Sequence, residues 1–290
     1  MRTKYDNKLA YLLMSPVLIY LLAVMVLPFG WALYLSFTNK VVGMPAVFTG
    51  LRNYIELVQD SLFWKAAWNT VIFTAVAVFF KTAFGMVMGL VLNEKIIFRN
   101  VFRVLLFLPW TIPTIVSVFT WQWIYSDVGG VLNFLLLKLH LINMPLGWLA
   151  TPDLAMFSVI LVNVWRGIPF MGIAILAGLQ TISKDIYEAA MLDGAGAVKR
   201  FLYMTLPSVR EVTIMGAVMT TIWTLNDFEI IWLLTRGGPS NGTQVLSTLS
   251  YTIGFLNMSL GKAIAIAIMT MPPLIILINY VTKRSLTSRD

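Results

Sequence analysis

Residues 67–92 read AWNTVIFTAVAVFFKTAFGMVMGLVL, a run of 26 positions in which Lys81 is the single charged side chain. An α-helix rises 1.5 Å per residue, so about 20 consecutive apolar residues cross the hydrocarbon core of a bilayer. The length and the apolar character of this run therefore predict a helix that spans a membrane.

The whole chain has the composition of a membrane protein. Hydrophobic residues make up 59% of its 290 positions and charged residues 12%, which is about half the usual charged content of roughly 25%. So few charges cannot cover a soluble globule, and so many apolar residues exclude a disordered chain. The chain has no cysteine and one histidine, His140, so it cannot build disulfides, thiolate metal sites, histidine metal clusters or a Ser-His-Asp triad by itself.

Five further apolar runs are long enough to cross a bilayer. Together the six occupy residues 10–36, 67–92, 104–125, 155–179, 211–234 and 262–282. They predict an all-α membrane protein with six transmembrane helices. The first run is too long for a cleaved signal peptide and lacks an A-x-A-like exit, so we expect it to be retained.

The distribution of basic residues predicts the orientation of these helices. Thirteen of the 21 Lys and Arg residues lie in the two tails and in loops 93–103 and 180–210, whereas six lie in the loops on the other side. Because cytoplasmic loops are enriched in Lys and Arg, both termini are predicted to be cytoplasmic. The net charge of +8 is scattered between apolar runs instead of forming one patch, so we expect no nucleic-acid partner.

The cytoplasmic loop at residues 183–207 reads SKDIYEAAMLDGAGAVKRFLYMTLP. Ser183 can cap a first short helix, Gly194 allows a sharp bend, and a second short piece is predicted from Val198 to Met204, closed by Pro207. The apolar stripe of the first helix consists of Ile186, Tyr187, Ala190 and Met191. Two short helices at a bend, apolar but too short to cross a bilayer, predict a plug that docks into another protein.

This loop resembles the EAA loop of importer-type ABC permeases. Nine residues fall at the family spacing across twenty positions: Glu188, Ala189, Ala190, Asp193, Gly194, Ala195, Phe201, Leu206 and Pro207. The resemblance implies the type I ABC importer transmembrane fold, in which the loop forms a coupling helix.

Other motifs resemble the carbohydrate-type permeases, so the resemblance covers roughly residues 10 to 282. These motifs are Gly50-Leu51, Asn53-Tyr54, Phe63-Trp64, Asn69-Thr70, Asn226-Asp227-Phe228, Leu234-Thr235 and Gly237-Gly238-Pro239. The last of them is more similar to the first permease of a pair, the maltose F or glycerol-phosphate A type, than to its partner. Unlike the maltose version, this chain is expected to have no extra N-terminal spans and no large external domain.

The resemblance implies a set of partners and a location. A second permease would complete a heterodimer, two ATPase subunits would hold ATP and Mg, and a periplasmic or lipid-anchored solute-binding protein would deliver the solute. The chain itself would be non-catalytic and without a cofactor, embedded in the lipid of the bacterial cytoplasmic (inner) membrane. It would comprise a tail, first helix and external loop at 1–66, the permease domain at 67–282, and a cytoplasmic tail at 283–290.

The motifs that the chain lacks agree with the placement of ATP hydrolysis on separate subunits. The chain has no G-x-x-x-x-G-K-[ST] phosphate loop and no H-E-x-x-H, so nothing in it predicts an ATPase or a protease. The coupling residues that the resemblance implies are Tyr187, Glu188, Ala189, Ala190, Met191, Asp193 and Gly194. Glu188 would meet a basic residue of the ATPase, Gly194 would set the bend, and Tyr187, Ala190 and Met191 would pack in its groove.

Polar residues inside apolar runs are candidates for a solute pathway, because an unpaired charge in lipid is costly. Trp223, Asn226 and Asp227, at i, i+3 and i+4, are predicted to share one helical face where an aromatic ring lies beside hydrogen-bond acceptors. Trp121, Gln122, Asn163, Trp165, Arg166 and Glu229 are further candidates. Lys81 is expected to pair with a carboxylate of this chain or of the partner permease, and Arg166 to meet an anionic or hydroxyl-rich solute or to serve the structure.

A secondary transporter or channel is the alternative, with Lys81, Arg166, Asp227 and Glu229 as its coupling groups. It is disfavoured because the chain has no internal repeat and because the 183–207 plug would be unexplained. The solute stays open between a mono- or disaccharide, a polyol, a sulfonated sugar and a glycerophosphate ester.

Small residues and prolines predict how the helices pack. The Gly85-x-x-x-Gly89 and Ala174-x-x-x-Gly178 pairs allow helices to approach closely. Pro109 and Pro113 are expected to kink or break the third run.

Overall fold

The protein is described here as a computed structural model covering residues 4–94 and 97–286. Three of the basic residues that predict the orientation lie outside the described residues, namely Arg2, Lys95 and Arg289. The ends of both predicted tails also lie outside them. The α-helices in chain order are α1 Lys4–Leu21, α2 Leu27–Ser36, α3 Arg52–Gln59, α4 Ser61–Asn93, α5 Arg99–Thr111, α6 Thr114–Ile124, α7 Val131–Lys138, α8 Pro152–Leu179, α9 Lys184–Leu192, α10 Ala197–Arg200, α11 Leu206–Leu225, α12 Glu229–Leu234, α13 Leu246–Tyr251 and α14 Leu260–Leu286. The π-helical turns Leu22–Val26 and Phe201–Thr205 join α1 to α2 and α10 to α11, and a further π-helical turn, Thr252–Leu256, extends α13. The prediction of an all-α protein is confirmed.

Within the described residues, four helical stretches are long and apolar enough to cross a membrane, and they coincide with four of the six predicted runs. They are Ala10–Ser36, Ser61–Asn93, Pro152–Leu179 and Leu260–Val281. In the most apolar window of the first stretch no residue is buried, whereas 56% of the corresponding window in α8 is buried. Thus α8 is the most buried of these stretches, whereas the first stretch is largely exposed.

The third predicted run is not one continuous helix. Helices α5 and α6 meet at an angle of 94°. Pro113 has no N–H to donate and disfavours helical backbone at the preceding residue, and Ile112 is accordingly extended, with φ −70° and ψ 133°. The carbonyl of Ile112 accepts a hydrogen bond from Nη1 of Arg166 at 2.9 Å, so protein and not lipid satisfies the backbone at the break.

The fifth predicted run is also divided, because α11 ends at Leu225 and α12 begins at Glu229. Two polar side chains hold the backbone there. Nδ2 of Asn226 donates to the carbonyl of Ile222 at 2.8 Å, and Oδ1 of Asp227 accepts from the N–H of Ile230 at 3.2 Å. Short polar side chains that bond to nearby backbone compete with the helical ladder, which is why an apolar run of sufficient length is interrupted here.

The chain divides into two compact units, Met1–Ser61 with Ser250–Met271, and Leu62–Leu249 with Pro272–Asp290. In the larger unit, glycines allow α4 and α8 to touch, as predicted for Gly85 and Gly89. A Cβ at Gly85 would lie 2.4 Å from Cβ of Met171, and one at Gly89 would lie 3.0 Å from Cγ2 of Ile175. Gly178 of the second pair packs less tightly, 3.4 Å from Val212 of α11.

In the smaller unit, side chains of the Asn53-Tyr54 motif secure the end of α2. Nδ2 of Asn53 donates to the carbonyls of Ser36 and Thr38, both at 2.8 Å. The hydroxyls of Tyr54 and Ser36 lie 2.6 Å apart. The motif therefore has a structural use in joining α3 to the preceding helix.

In the larger unit, the Asn69-Thr70 motif of α4 holds the loop that contains the Gly-Gly-Pro motif. Nδ2 of Asn69 donates to the carbonyls of Gly242 at 3.1 Å and Gln244 at 3.0 Å, and Oγ1 of Thr70 accepts from the N–H of Leu246 at 2.9 Å. The motif of α4 thus holds the segment that follows the Gly-Gly-Pro motif, at least 173 positions later in the sequence.

Candidate functional site

Five of the nine predicted pathway residues line one cavity of about 480 Å³ in the larger unit. They are Asn163, Arg166, Asn226, Asp227 and Glu229. They come from the middle of α8 and from the interruption between α11 and α12. Each of these segments carries polar groups inside an apolar run, and the fold turns those groups toward a shared space.

Asp227 connects the segments around this cavity. Its Oδ2 accepts a hydrogen bond from Nδ2 of Asn163 at 2.6 Å, and its carbonyl accepts from Oγ of Ser247 at 2.8 Å. Asn163 is 4% exposed, and its Oδ1 is buried without a hydrogen-bond partner among the described residues. Asp227 therefore orients the interrupted segment, while Asn163 leaves an unused acceptor in the wall.

Lys81 also lines the cavity, and its hydrogen-bond partner within this chain is a hydroxyl group. Its Nζ donates to Oγ1 of Thr224 at 2.8 Å, and the residue is 5% exposed. A Cβ at Gly167 would lie 2.4 Å from Cε of Lys81, so the absence of a side chain there makes room for the lysine stem. Asp227 shares the cavity, yet within the described part of the chain no carboxylate forms an ion pair with Lys81.

Arg166 stabilises the break in the third run. Besides the Ile112 carbonyl, its Nη1 donates to Oγ of Ser117 at 2.7 Å, on the first turns of α6. Of the two roles expected for Arg166, a structural one is thus observed. Its position on the cavity wall also leaves it beside the space that a solute would fill.

The predicted aromatic platform is placed wrongly. Asp227 lies beyond the end of α11, so helical spacing does not bring it onto one face with Trp223, and Trp223 instead packs edge-on against Phe170 at 4.7 Å. Trp121 and Trp165 contact each other at 5.6 Å beside the apolar core. Gln122 lines a different depression, next to Arg236.

Trp110 is the tryptophan among the residues that line the cavity, and the sequence reasoning missed it. It lies on the last turn of α5, is 47% exposed, and has Thr114 of α6 and Phe228 as neighbours in the lining. The available signal was its place between Pro109 and Pro113, where the expected break could have turned it inward. Without the 94° bend it would have been one more aromatic residue in an apolar run.

The chemistry of the lining suits a hydroxyl-rich molecule. Glu229 and Asn226 are exposed and offer oxygen acceptors, while the Trp110 ring offers an apolar face. The two cations, Lys81 and Arg166, are matched in number by two carboxylates. Between residues 4 and 286, leaving out 95–96, no group of His, Asp or Glu side chains could hold a metal ion.

The second candidate site is the loop at residues 183–207. Oγ of Ser183 accepts from the N–H of Asp185 at 3.3 Å, which confirms the predicted cap of α9. Gly194 has φ +74°, which confirms the need for glycine at the bend. Its N–H donates to the carbonyl of Met191 at 3.1 Å, and the N–H of Ala195 donates to that of Ala190 at 2.9 Å, so the turn ends α9 at a defined angle.

The outward face of α9 differs from the predicted one. Ala190 is 1% exposed, so it packs inside this chain and not in a partner's groove. Tyr187 is half-buried, and its hydroxyl lies 2.9 Å from Oγ1 of Thr205. Of the residues predicted to act in coupling, those that lie exposed are Glu188, Ala189, Met191, Asp193 and Gly194. Large exposed side chains that the motif did not single out are Leu192 at 91%, Tyr203 at 74% and Val198 at 71%.

Pro207 does not close the second helix of the loop, contrary to the prediction. Helix α10, the π-helical turn Phe201–Thr205 and α11 follow one another without a break from Ala197 to Leu225. Pro207 lies in the first turn of α11, where a missing N–H is tolerated, and the N–H of Leu206 bonds to the carbonyl of Phe201 across the wider π turn. One helical rod therefore runs from the loop to the edge of the cavity.

Residues 81–283 match the family described as "Binding-protein-dependent transport system inner membrane component". The trehalose/maltose transport system permease protein MalF of Thermococcus litoralis is 38% identical over 270 residues, covering 91% of this chain and 90% of that protein. The sulfoquinovosyl glycerol transport system permease protein SmoG of Agrobacterium fabrum is 33% identical over 270 residues, covering 92% of this chain and 87% of that protein.

A solved structure shares the fold. A chain in the bacterial alginate ABC transporter, in complex with an alginate pentasaccharide-bound periplasmic protein, superimposes with a TM-score of 0.82. The match covers 97% of this chain and 95% of that chain at 22% identity. On the family match and the two relatives, this chain belongs to the inner membrane components of binding-protein-dependent transport systems.

Proposed function

We propose that this chain forms half of the membrane pathway of an ATP-binding-cassette importer for a sugar or sugar-like solute. The observation that carries the proposal is that one continuous helical stretch, Ala197–Leu225, joins a docking loop at one end to a polar cavity at the other. An importer driven by separate ATPase subunits requires such a connection between the site of force and the site of passage.

The cavity supports a hydroxyl-rich cargo. Its volume of about 480 Å³ falls within the range of roughly 300–1,000 Å³ for small-molecule sites. Trp110 would stack against the C–H face of a sugar ring, while Asn226 and Glu229 would accept hydrogen bonds from hydroxyl groups. The names of the two relatives, which refer to trehalose, maltose and sulfoquinovosyl glycerol, support the same class of cargo.

The loop supports docking of ATPase subunits, which would hold ATP and Mg. Glu188 would meet a basic residue of the ATPase, and Met191, Leu192 and Val198 would supply apolar contact area on its surface. The chain itself would perform no catalysis and hold no cofactor, since it lacks a phosphate-binding loop. A second permease would complete the pathway, a periplasmic or lipid-anchored binding protein would deliver the solute, and both termini would be cytoplasmic.

The experiment is uptake of labelled trehalose and maltose by proteoliposomes that contain the four-subunit complex, with the binding protein and ATP on their respective sides. Trp110→Ala should lower uptake about two- to tenfold, because one stacked aromatic ring contributes about 0.5–1.5 kcal/mol beyond its buried area. Basal ATP hydrolysis and assembly should be unchanged. Trp123→Ala is the matched control, because Trp123 is 64% exposed on α6 and lies outside the cavity lining.

Three outcomes would count against the proposal. Equal uptake by the Trp110 and Trp123 variants would contradict the solute site. Absence of uptake for every hydroxyl-rich solute tested would contradict the cargo class. Uptake that persists without the ATPase subunits would favour a secondary transporter.

A further inference from the structure

A hydrogen bond between two hydroxyl groups joins α9 to the residue directly before α11. The Tyr187 hydroxyl lies 2.9 Å from Oγ1 of Thr205. Thr205 is 5% exposed and is the last residue of the π-helical turn, and its Oγ1 also lies 3.4 Å from the carbonyl of Arg200. The bond thus joins the middle of α9 to the point where the π turn passes into α11.

The covalent connection between α9 and α10 cannot by itself hold their relative orientation. The link consists of Asp193–Gly196 and includes two glycines, one of them with φ +74°. A cavity of about 600 Å³ lies beside the joint, between the end of α4 and the start of the rod, and Tyr187 and Thr205 form part of its wall. Because packing is open on that side, side-chain contacts have to determine how α9 sits.

The contacts on the closed side are few and specific. Ala190 is 1% exposed, and Ile182, ahead of α9, packs with Phe201 of the π turn against a core cluster that includes Val209. These apolar contacts tolerate sliding, whereas a hydrogen bond of 2.9 Å is directional. The Tyr187 hydroxyl therefore supplies a direction that the apolar contacts lack.

The other end of the rod lies at the cavity that we assign to the solute. Thr224, one residue before the end of α11, accepts the hydrogen bond from Lys81, and Asn226 follows directly. From Ala197 to Leu225 the rod is about 40 Å long at 1.5 Å per residue. A change in the tilt of α9 is transmitted along this rod only if α9 and the N-terminal end of the rod move together.

We propose that Tyr187 and Thr205 are positioning residues for energy coupling: their hydrogen bond makes α9 and the rod one mechanical body, so that ATPase movement changes the cavity. The proposal rests on the proposed function, because it needs an ATPase docked on α9. It assigns Tyr187 an internal contact in place of the partner contact expected from the motif.

The test uses the absence of native cysteine in this chain. Thr114→Cys places one thiol in the cavity lining as a reporter. The four-subunit complex, with cysteine-free partners, is held in nanodiscs, and the rate of maleimide labelling is measured with and without AMP-PNP and Mg²⁺. The nucleotide-dependent change in rate reports coupling without requiring knowledge of the solute.

Tyr187→Phe and Thr205→Val each remove one hydroxyl in the reporter background. The nucleotide-dependent change should fall about two- to tenfold in each, the equilibrium effect of one net hydrogen bond. The double variant should lose no more than Thr205→Val alone, because Thr205→Val already removes the bond to Tyr187 together with the contact to the Arg200 carbonyl. Nucleotide affinity and thermal stability of the complex should stay at the reporter's values.

Two controls match these changes. Tyr203→Phe removes the hydroxyl of a tyrosine that is 74% exposed in the same π turn, and Thr213→Val removes a buried hydroxyl of α11 without a partner among the described residues. Both should respond to nucleotide as the reporter does.

The outcomes distinguish a failure of the positioning role from a failure of the proposed function. If the reporter responds and Tyr187→Phe responds equally, the positioning role is refuted while coupling through the loop stands. Assembly or stability of Tyr187→Phe and Thr205→Val could fall by as much as the nucleotide-dependent change in labelling rate. The bond would then be only a structural contact, and the proposal would be overturned. A reporter that ignores nucleotide would refute coupling itself, and with it this inference.

Discussion

Replacement of Gly194 by valine tests whether the end of α9 controls coupling. Gly194 has φ +74°, a conformation in which the Cβ of an L-residue approaches the carbonyl oxygen that follows. A Cβ built at this position meets no heavy atom within 4 Å. The effect of a side chain there is therefore purely conformational and contains no steric clash with the rest of the protein.

Because no steric clash contributes, the size of the effect can be taken from the conformational cost alone. A non-glycine residue in the left-handed region costs about 1–2 kcal/mol, and a β-branched residue lies at the upper end or beyond. A free-energy change of that size shifts an equilibrium about 5- to 30-fold. We therefore expect Gly194→Val to reduce the population with the native bend by this factor, and ATP hydrolysis stimulated by the loaded binding protein to fall by a similar factor. Expression and basal hydrolysis should persist, because α9 lies outside the core that holds α4 against α8.

Two variants in the same loop serve as controls. Gly196 has φ −66° and likewise has no atom within 4 Å of a Cβ, so Gly196→Val should be tolerated. Gly194→Asn should lie between glycine and valine, because asparagine enters the left-handed region more readily than other residues. Stimulated hydrolysis by Gly194→Val that equals that of Gly196→Val would refute the reasoning.

Two further predictions concern packing and orientation. Gly85→Ala places a Cβ 2.4 Å from Cβ of Met171 and forces α4 and α8 apart, at a cost of about 1–3 kcal/mol. The thermal midpoint of the detergent-solubilised chain should fall, whereas Gly178→Ala, with its nearest contact at 3.4 Å, should leave it unchanged; equal midpoints would show that the contact does not limit packing. For orientation, Met144→Cys should react with an impermeant maleimide in intact cells and Ala197→Cys only after permeabilisation, and the reverse pattern would overturn the assignment of cytoplasmic sides.

Polar residues of the candidate cavity were predictable from the sequence, whereas its tryptophan was not. Asn163, Arg166, Asp227 and Glu229 interrupt apolar runs, and the cost of a polar group in lipid requires them to face protein or water. Tryptophan carries no such penalty at any particular face of a membrane helix. Whether Trp110 or Trp223 meets the cavity depends on a 94° bend and on where α11 ends, and neither is encoded in the tryptophan itself.

In the loop at residues 183–207, too, some features were predictable from the sequence and others were not. The Ser183 cap and the positive φ of Gly194 depend on residues a few positions away, so the local sequence was sufficient to predict them. The inward position of Ala190 and the bond between Tyr187 and Thr205 depend on how α9 folds back on a segment eighteen positions later. A helical stripe identifies a face that avoids water, but it does not say whether this chain or a partner covers that face.

Features that depend on residues close together in the sequence could thus be predicted from the chain alone. Hydropathy predicts helices in a membrane, turn chemistry predicts the bend, and motif spacing indicates the family. The choice of partner for each buried polar group required the tertiary structure, because it is made between segments far apart in sequence. Lys81 illustrates this. Burial of a cation demands a hydrogen-bond acceptor, but only the packing of α4 beside α8 and α11, with room left by Gly167, makes that acceptor the Thr224 hydroxyl instead of a carboxylate.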